Sequence, residues 1–310
     1  MAHPNASERN YRHATRWEPY LLLLPAVGTL LLFFFAPALY NINLSFQDIS
    51  LFQLGKSGKW VGLDNFAKLI RDPITGLSLK NTLIWLTLVT VIIRLLFGLG
   101  LALLMNAPVI RRWRLTGLAR SLVLIPWVTP PVVAVAAWQW LLHPRYGTVN
   151  QLLFELGITN QGIPFFVRIS TVWWAIVAIV VWRELPFVVI ALLAGLQSIP
   201  EELYEAARID GANAWRELVS ITLPLLRPVL AVVTLLITIW TFNNFLYVWL
   251  ATRGGPGQAT QVLATQMYTE AFTNYKLGYG AAVGVLMSAI MLVFAVVYFN
   301  TVFRKSMGQT

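Results

Sequence analysis

The chain has 310 residues, 57% of them hydrophobic and 12% charged, with a formal net charge of +10 and a mean hydropathy of +0.66. A soluble domain carries roughly 25% charged residues, so a water-facing globule is excluded. The absence of cysteine excludes disulfides, thiolate metal sites, iron–sulfur clusters and a cysteine nucleophile.

Apolar runs recur along the whole chain, and six of them, at residues 19–44, 79–105, 118–142, 171–196, 228–250 and 278–302, are predicted to be membrane-spanning helices. At about 1.5 Å per residue each is long enough to cross a hydrocarbon core of about 30 Å. The bilayer leaves no backbone polar group unsatisfied, which favours helices, and the period-two alternation of a barrel is not seen. The predicted fold class is therefore an all-α integral membrane protein. Residues 1–18 form an N-terminal tail, 19–302 one six-helix domain and 303–310 a C-terminal tail. The first run is too long for a secretory signal and no small-x-small pattern follows Leu44, so it is expected to remain as an anchor.

The basic residues lie in short segments between apolar runs, which fits topology and not nucleic acid. The clearest signal is at 109–120, where Arg111, Arg112, Arg114 and Arg120 predict a cytoplasmic loop. An even number of spans then puts Arg9, Arg12 and Arg16, and Arg304 and Lys305, on the same side. Lys56, Lys59, Lys68 and Arg71 after the first run oppose this bias.

Arg94, Arg183 and Glu184 fall near the middle of the second and fourth runs, where a charge costs about 2.5–3.5 kcal/mol on insertion scales. Adjacent helical residues point about 100° apart, so Arg183 and Glu184 are expected to have different partners. Two readings stand: an Arg94–Glu184 pair between helices, or direct contact with a solute.

Residues 197–227 form a polar segment before the fifth run. Ser198 with Glu201 matches a capping box, and Pro200 suits a first helical turn. Leu203, Ala206 and Ala207 share one face of the predicted helix, and Asp210-Gly211 breaks it. Ala214, Trp215, Leu218 and Val219 then predict a second short amphipathic helix. A helix lying on lipid headgroups normally has a strongly basic polar face. This segment is acid-rich near its start, which favours a protein partner.

In the fifth run, helical spacing brings Trp240, Asn243 or Asn244, and Tyr247 onto one face beside Thr241. An aromatic platform with amide donors suits a sugar, whose faces are apolar and whose rim is hydroxyl. Interhelical hydrogen bonding with aromatic packing is the alternative. Gly280, Gly284 and Ser288 form a small-residue ridge in the sixth run and are read as packing.

Gly55-Lys56-Ser57 lacks the glycine a Walker A loop requires five positions earlier, where Ser50 stands. No His-Glu-x-x-His pair occurs, and His3, His13 and His143 are scattered. An ion-coupled carrier and an intramembrane enzyme using Glu184 are the rival classes.

Glu205-Ala-Ala207, Gly211 after three positions and Ile221-Thr-Leu-Pro224 after nine more resemble the EAA loop motif of binding-protein-dependent ABC importer permeases. Val61-Gly-Leu-Asp-Asn-Phe66, Thr252-Arg-Gly-Gly-Pro256, Tyr268, Phe272 and Gly278-Tyr-Gly280 resemble the first permease of its carbohydrate branch, the maltose and glycerol-phosphate type. The resemblance implies a type I importer permease fold in the bacterial inner membrane. It implies that Glu205, Ala206, Ala207, Asp210 and Gly211 couple to a dimeric ABC ATPase, which holds ATP and Mg, so that this chain needs no cofactor. A second homologous permease, an extracytoplasmic solute-binding protein and a sugar are the other implied partners, with 61–66 and 253–279 as docking surfaces. By position, Glu184, Phe187, Trp240, Thr241 and Asn244 are the implied sugar contacts. Arg183-Glu184 departs from a plain neutral-sugar pocket and leaves an acidic or sulfonated sugar, or a polyol phosphate, open.

Overall fold

A computed structural model of the chain describes residues 18–53, 55, 58–112 and 116–303. Arg9, Arg12, Arg16, Arg304, Lys305, Lys56 and Arg114 lie outside the described residues, as do nearly all of both tails and Lys56-Ser57 of the Gly-Lys-Ser segment.

Among the described residues, five continuous helices are long and apolar enough to cross a membrane: Tyr20–Ser45, Pro73–Asn106, Ile169–Gln197, Ala214–Phe242 and Leu277–Val302. They are spans one, two, four, five and six. Span three is a broken pair, Gly117–Val128 and Pro131–Leu141, bent by 94°. The expectation of one straight helix over 118–142 fails at Pro130-Pro131. A proline disfavours helical angles at the preceding residue and has no N–H to donate, and Pro130 has φ −57° and ψ 139°, outside the helical region.

Span five also departs from expectation. Residues 214–220 are not a separate helix; they are its first turns, continuous through Pro224 and Pro228 to Phe242. The chain then breaks at Asn243-Asn244, and a new helix runs over Leu246–Thr252. A single helix over 228–250 is therefore not formed.

Beside a small apolar cluster of Leu44, Ile49 and Ala281, two large ones carry most of the packing. One joins Leu86, Trp173, Ile176, Ile179, Phe242, Val248 and Leu263; the other joins Val91, Val188, Leu192, Leu226, Val233 and Ile237. Spans two and four approach closely because Gly98 has no side chain. A Cβ there would lie 2.5 Å from a Val188 methyl, well inside contact distance. On the small-residue ridge, a Cβ at Gly280 would meet that of Ala271 at 2.7 Å, and one at Gly284 would touch Met267 and Asn41. Gly280 and Gly284 pack helices as expected, whereas Ser288 is exposed and its hydroxyl donates to the Gly284 carbonyl of its own helix. Span one leans on span six near its C-terminal end, and none of its most apolar window is buried within the chain.

The segment between spans five and six folds inward. Thr260, Val262, Leu263, Thr265 and Gln266 are buried, so their polar groups need partners within the protein. Asn81 Nδ2 donates to the carbonyls of Ala259 and Gln261 at 3.0 and 2.9 Å. The Thr82 hydroxyl accepts from the Leu263 N–H at 2.9 Å, and Trp173 Nε1 donates to the Ala259 carbonyl at 3.1 Å. Gln266 donates to the Thr75 hydroxyl, and the Tyr279 hydroxyl to Asp72. The docking surface expected over 253–279 is narrowed accordingly, because its middle is interior. Asn65 of the 61–66 motif is buried as well, donating to the carbonyls of Ser45 and Gln47. Those carbonyls flank a two-stranded antiparallel hairpin that pairs Gln47 with Trp60.

Asn81→Leu strips the Gln261 carbonyl of its Asn81 donor and leaves the Ala259 carbonyl with Trp173 alone. A destabilisation of about 1–3 kcal/mol is expected, read as a lower thermal midpoint of the detergent-solubilised protein. An unchanged midpoint contradicts the anchoring role.

Candidate functional site

A cavity of about 260 Å³ lies among spans two, three, four and five. Its walls are Arg94 of span two, Trp127 of span three, Val180, Arg183 and Glu184 of span four, and Trp240, Thr241 and Asn244 at the end of span five. Charged residues far apart in sequence thus meet where the hydrophobic packing is interrupted.

Their pairing differs from both expectations. Arg183 and Glu184 bond each other, Nη1 to Oε1 at 2.7 Å. The long arginine side chain folds back across the 100° that separates the two Cβ directions. Arg183 Nε also donates to the Thr129 carbonyl, freed by the break in span three, at 3.4 Å. The Tyr247 hydroxyl donates to the same Glu184 oxygen at 2.6 Å. The Arg94–Glu184 pair is not formed. Arg94 is 1% exposed, and its Nη2 donates to the Thr241 hydroxyl and to the Ile237 carbonyl. Its Nε donates to the Thr90 carbonyl at 3.3 Å.

The aromatic face survives in altered form. Trp240 is 46% exposed and meets Phe187 edge-on at 4.9 Å, and Trp127 also meets Phe187, tilted, at 6.4 Å. Phe187 supports the wall without lining the cavity. Tyr247 is buried behind it, joined to the site through Glu184. Asn243 is exposed and donates back to the Ile239 carbonyl, outside the cavity, whereas Asn244 lines it and caps the next helix by accepting from the Tyr247 N–H. The assumption of a continuous helix through Asn243 is what misplaced that residue. Trp127 and Val180 were missed; a tryptophan three residues before Pro130-Pro131 is the signal that a kink turns it inward.

The second candidate surface is the turn between spans four and five. Its helix, Glu201–Ile209, contains no buried residue. The predicted capping box is absent: Ser198 terminates span four, its hydroxyl donating to the Gly195 carbonyl at 2.8 Å, and Pro200 takes the cap position. At the other end Gly211 has φ +80°. The Ala212 N–H donates to the Ala207 carbonyl and the Gly211 N–H to the Arg208 carbonyl, which is a Schellman motif. Asn213 then caps the start of span five through the Arg216 N–H.

Two side-chain links clamp the helix to span five. The Tyr204 hydroxyl bonds that of Thr222 at 3.0 Å, and Arg208 Nε donates to Glu217 at 2.9 Å. That bond holds Arg208 further in its charged form. Tyr204 and Arg208 are four apart and share a face, a spacing that was legible but unassigned. Beyond the clamp, Ile209 and Trp215 are 88% and 71% exposed, while Glu205, Ala206 and Asp210 are exposed around them and Ala207 is half-buried.

The family described as binding-protein-dependent transport system inner membrane component matches residues 95–307. The chain belongs to this family. The permease is 36% identical over 285 residues to a sulfoquinovosyl glycerol transport system permease protein of Agrobacterium fabrum, covering 92% of this chain and 90% of the relative. It is 35% identical to a diacetylchitobiose uptake system permease protein of Streptomyces coelicolor, covering 93% and 87%. Among solved structures, a bacterial ABC transporter that imports the acidic polysaccharide alginate superposes with a TM-score of 0.76 at 25% identity, over 93% of this chain and 96% of that one. The permease is thus a multi-pass inner-membrane transport subunit and not an enzyme, which sets aside the carrier and intramembrane-enzyme readings.

A Cβ at Gly211 would meet no atom within 4 Å, so the constraint there is backbone angle and not space. Gly211→Val is expected to cost about 1–2 kcal/mol locally and to raise protease cleavage between 205 and 215. Cleavage equal to the parent protein contradicts the turn's dependence on a left-handed residue.

Proposed function

We propose that this permease forms one half of the pathway of an ATP-driven importer for a sugar or sugar-like solute, and that its exposed helix after span four receives the force that drives it. A second, homologous permease supplies the other half. A dimeric ABC ATPase, holding ATP and Mg, docks against Glu205, Ala206, Ala207, Asp210 and Gly211. This end of the molecule and both termini are cytoplasmic, and an extracytoplasmic binding protein delivers solute at the opposite end.

The observation that carries this reading is the clamped helix. It is uncovered along its length yet fastened to span five by Tyr204–Thr222 and Arg208–Glu217. A floppy loop transmits little force, whereas a helix tied to the span behind it moves that span when pushed. The relatives' names support a sugar class, and the cavity agrees: aromatic edges face hydroxyl, amide and charged groups in one space.

Ala207→Trp is expected to remove the ATPase from the purified complex while the permease remains folded, judged by co-purification and by the thermal midpoint of the permease alone. Retention of the ATPase at parental stoichiometry contradicts the docking assignment. Trp240→Ala combined with Asn244→Ala is expected to lower uptake by about tenfold or more in proteoliposomes of a complex that still assembles on gel filtration. Unchanged uptake contradicts the solute site.

A further inference from the structure

Charge is unevenly matched around the cavity. Two guanidiniums, Arg94 and Arg183, face one carboxylate, Glu184, a formal surplus of one positive charge. Glu184 is already engaged, since its Oε1 accepts from both Arg183 and Tyr247. Arg94 therefore has only neutral oxygens to bond: a hydroxyl and two backbone carbonyls. Arginine does not shed its proton in proteins, and a buried, unpaired charge is costly enough that proteins normally supply a partner. This cost is borne at a cavity wall near the middle of span two, where no membrane lipid headgroup reaches.

We propose that the partner is the solute, and that the cavity takes a sugar derivative carrying a single carboxylate or sulfonate. The anionic group sits against Arg94, and the ring lies along Trp240 with Trp127 opposite. A planar guanidinium presents paired N–H donors to two oxygens of an anion, and an aromatic ring meets the apolar face of a pyranose. A volume of about 260 Å³ is near the small end of ligand pockets, ~300–1,000 Å³, which suits one sugar unit per permease half. Asn244, at the edge of the same wall, offers an amide to a ring hydroxyl. This inference rests on reading the cavity as the solute path of a sugar importer and adds the charge of the solute.

The test uses the assembled complex with its binding protein in proteoliposomes. Uptake is measured for pairs alike except in charge: glucose with glucuronate, methyl glucoside with methyl glucuronide, and glucose with 6-deoxy-6-sulfoglucose. The anionic member of at least one pair is expected to be taken up about tenfold faster than its neutral partner. With the same binding protein, Arg94→Gln is expected to erase that preference and Arg94→Lys, which keeps the charge, to retain part of it; gel filtration follows assembly of both. Preference for a neutral sugar overturns the charge assignment and leaves sugar import standing. Anionic preference that persists in Arg94→Gln also overturns it. Uptake of no member of any pair counts against both the sugar reading and this inference.

Discussion

Inside a hydrocarbon layer no water is at hand, so each polar group placed there must find its partner within the protein or in a ligand. This constraint orders the whole permease. Away from the cavity much of it is met within the chain: Asn81, Thr82 and Trp173 all bond backbone groups of the segment between spans five and six. These bonds let the chain between spans five and six fold inward without leaving its carbonyls bare. At the cavity the pattern changes. Glu184 is shared by an arginine and a tyrosine, while Arg94, fully enclosed, reaches only neutral oxygens.

The same two helices that wall the cavity also hold the exposed turn. Span four brings Arg183 and Glu184, then runs about 20 Å further, at about 1.5 Å per residue, to Gln197. Span five begins at Ala214, is clamped to the Glu201–Ile209 helix by two side-chain links, and carries Trp240 and Thr241 in its last turn before Phe242. The exposed helix is thus joined through these two spans to both sides of the cavity. Proline lies within both levers, Pro186 in span four and Pro228 in span five. Each removes an intrahelical hydrogen bond and so marks where bending costs least.

Much of this was legible in the sequence because it depends on periodicity and composition. The apolar runs, the exposed turn at Asp210-Gly211 and the need of Arg94 and Glu184 for partners inside the protein follow from spacing and from the cost of charge in lipid, whereas the meeting of Glu184 with Trp240, Thr241 and Asn244 was implied by the family resemblance. What escaped depends on breaks and on tertiary choice. Pro130-Pro131 bends span three and turns Trp127 inward; Asn243-Asn244 ends span five and sends one amide outward. Ser198 and Glu201 satisfy the pattern of a capping box, yet Ser198 closes the preceding helix. Helical geometry separates Arg183 from Glu184 by Cβ direction but says nothing of how far a long arginine side chain can fold back, and that choice decides which arginine is left without a carboxylate.

The central claim is mechanical: the exposed helix is seated in a partner and moved by it. The chain has no cysteine, so Ile209→Cys introduces a single thiol at a residue 88% exposed. The direct measurement is the labelling rate of that thiol by a water-soluble maleimide in the assembled complex, with and without ATP, against the permease alone. The account predicts strong protection in the complex and a rate that changes on ATP binding. Equal labelling in all three states would show that nothing sits on the helix and would contradict the account.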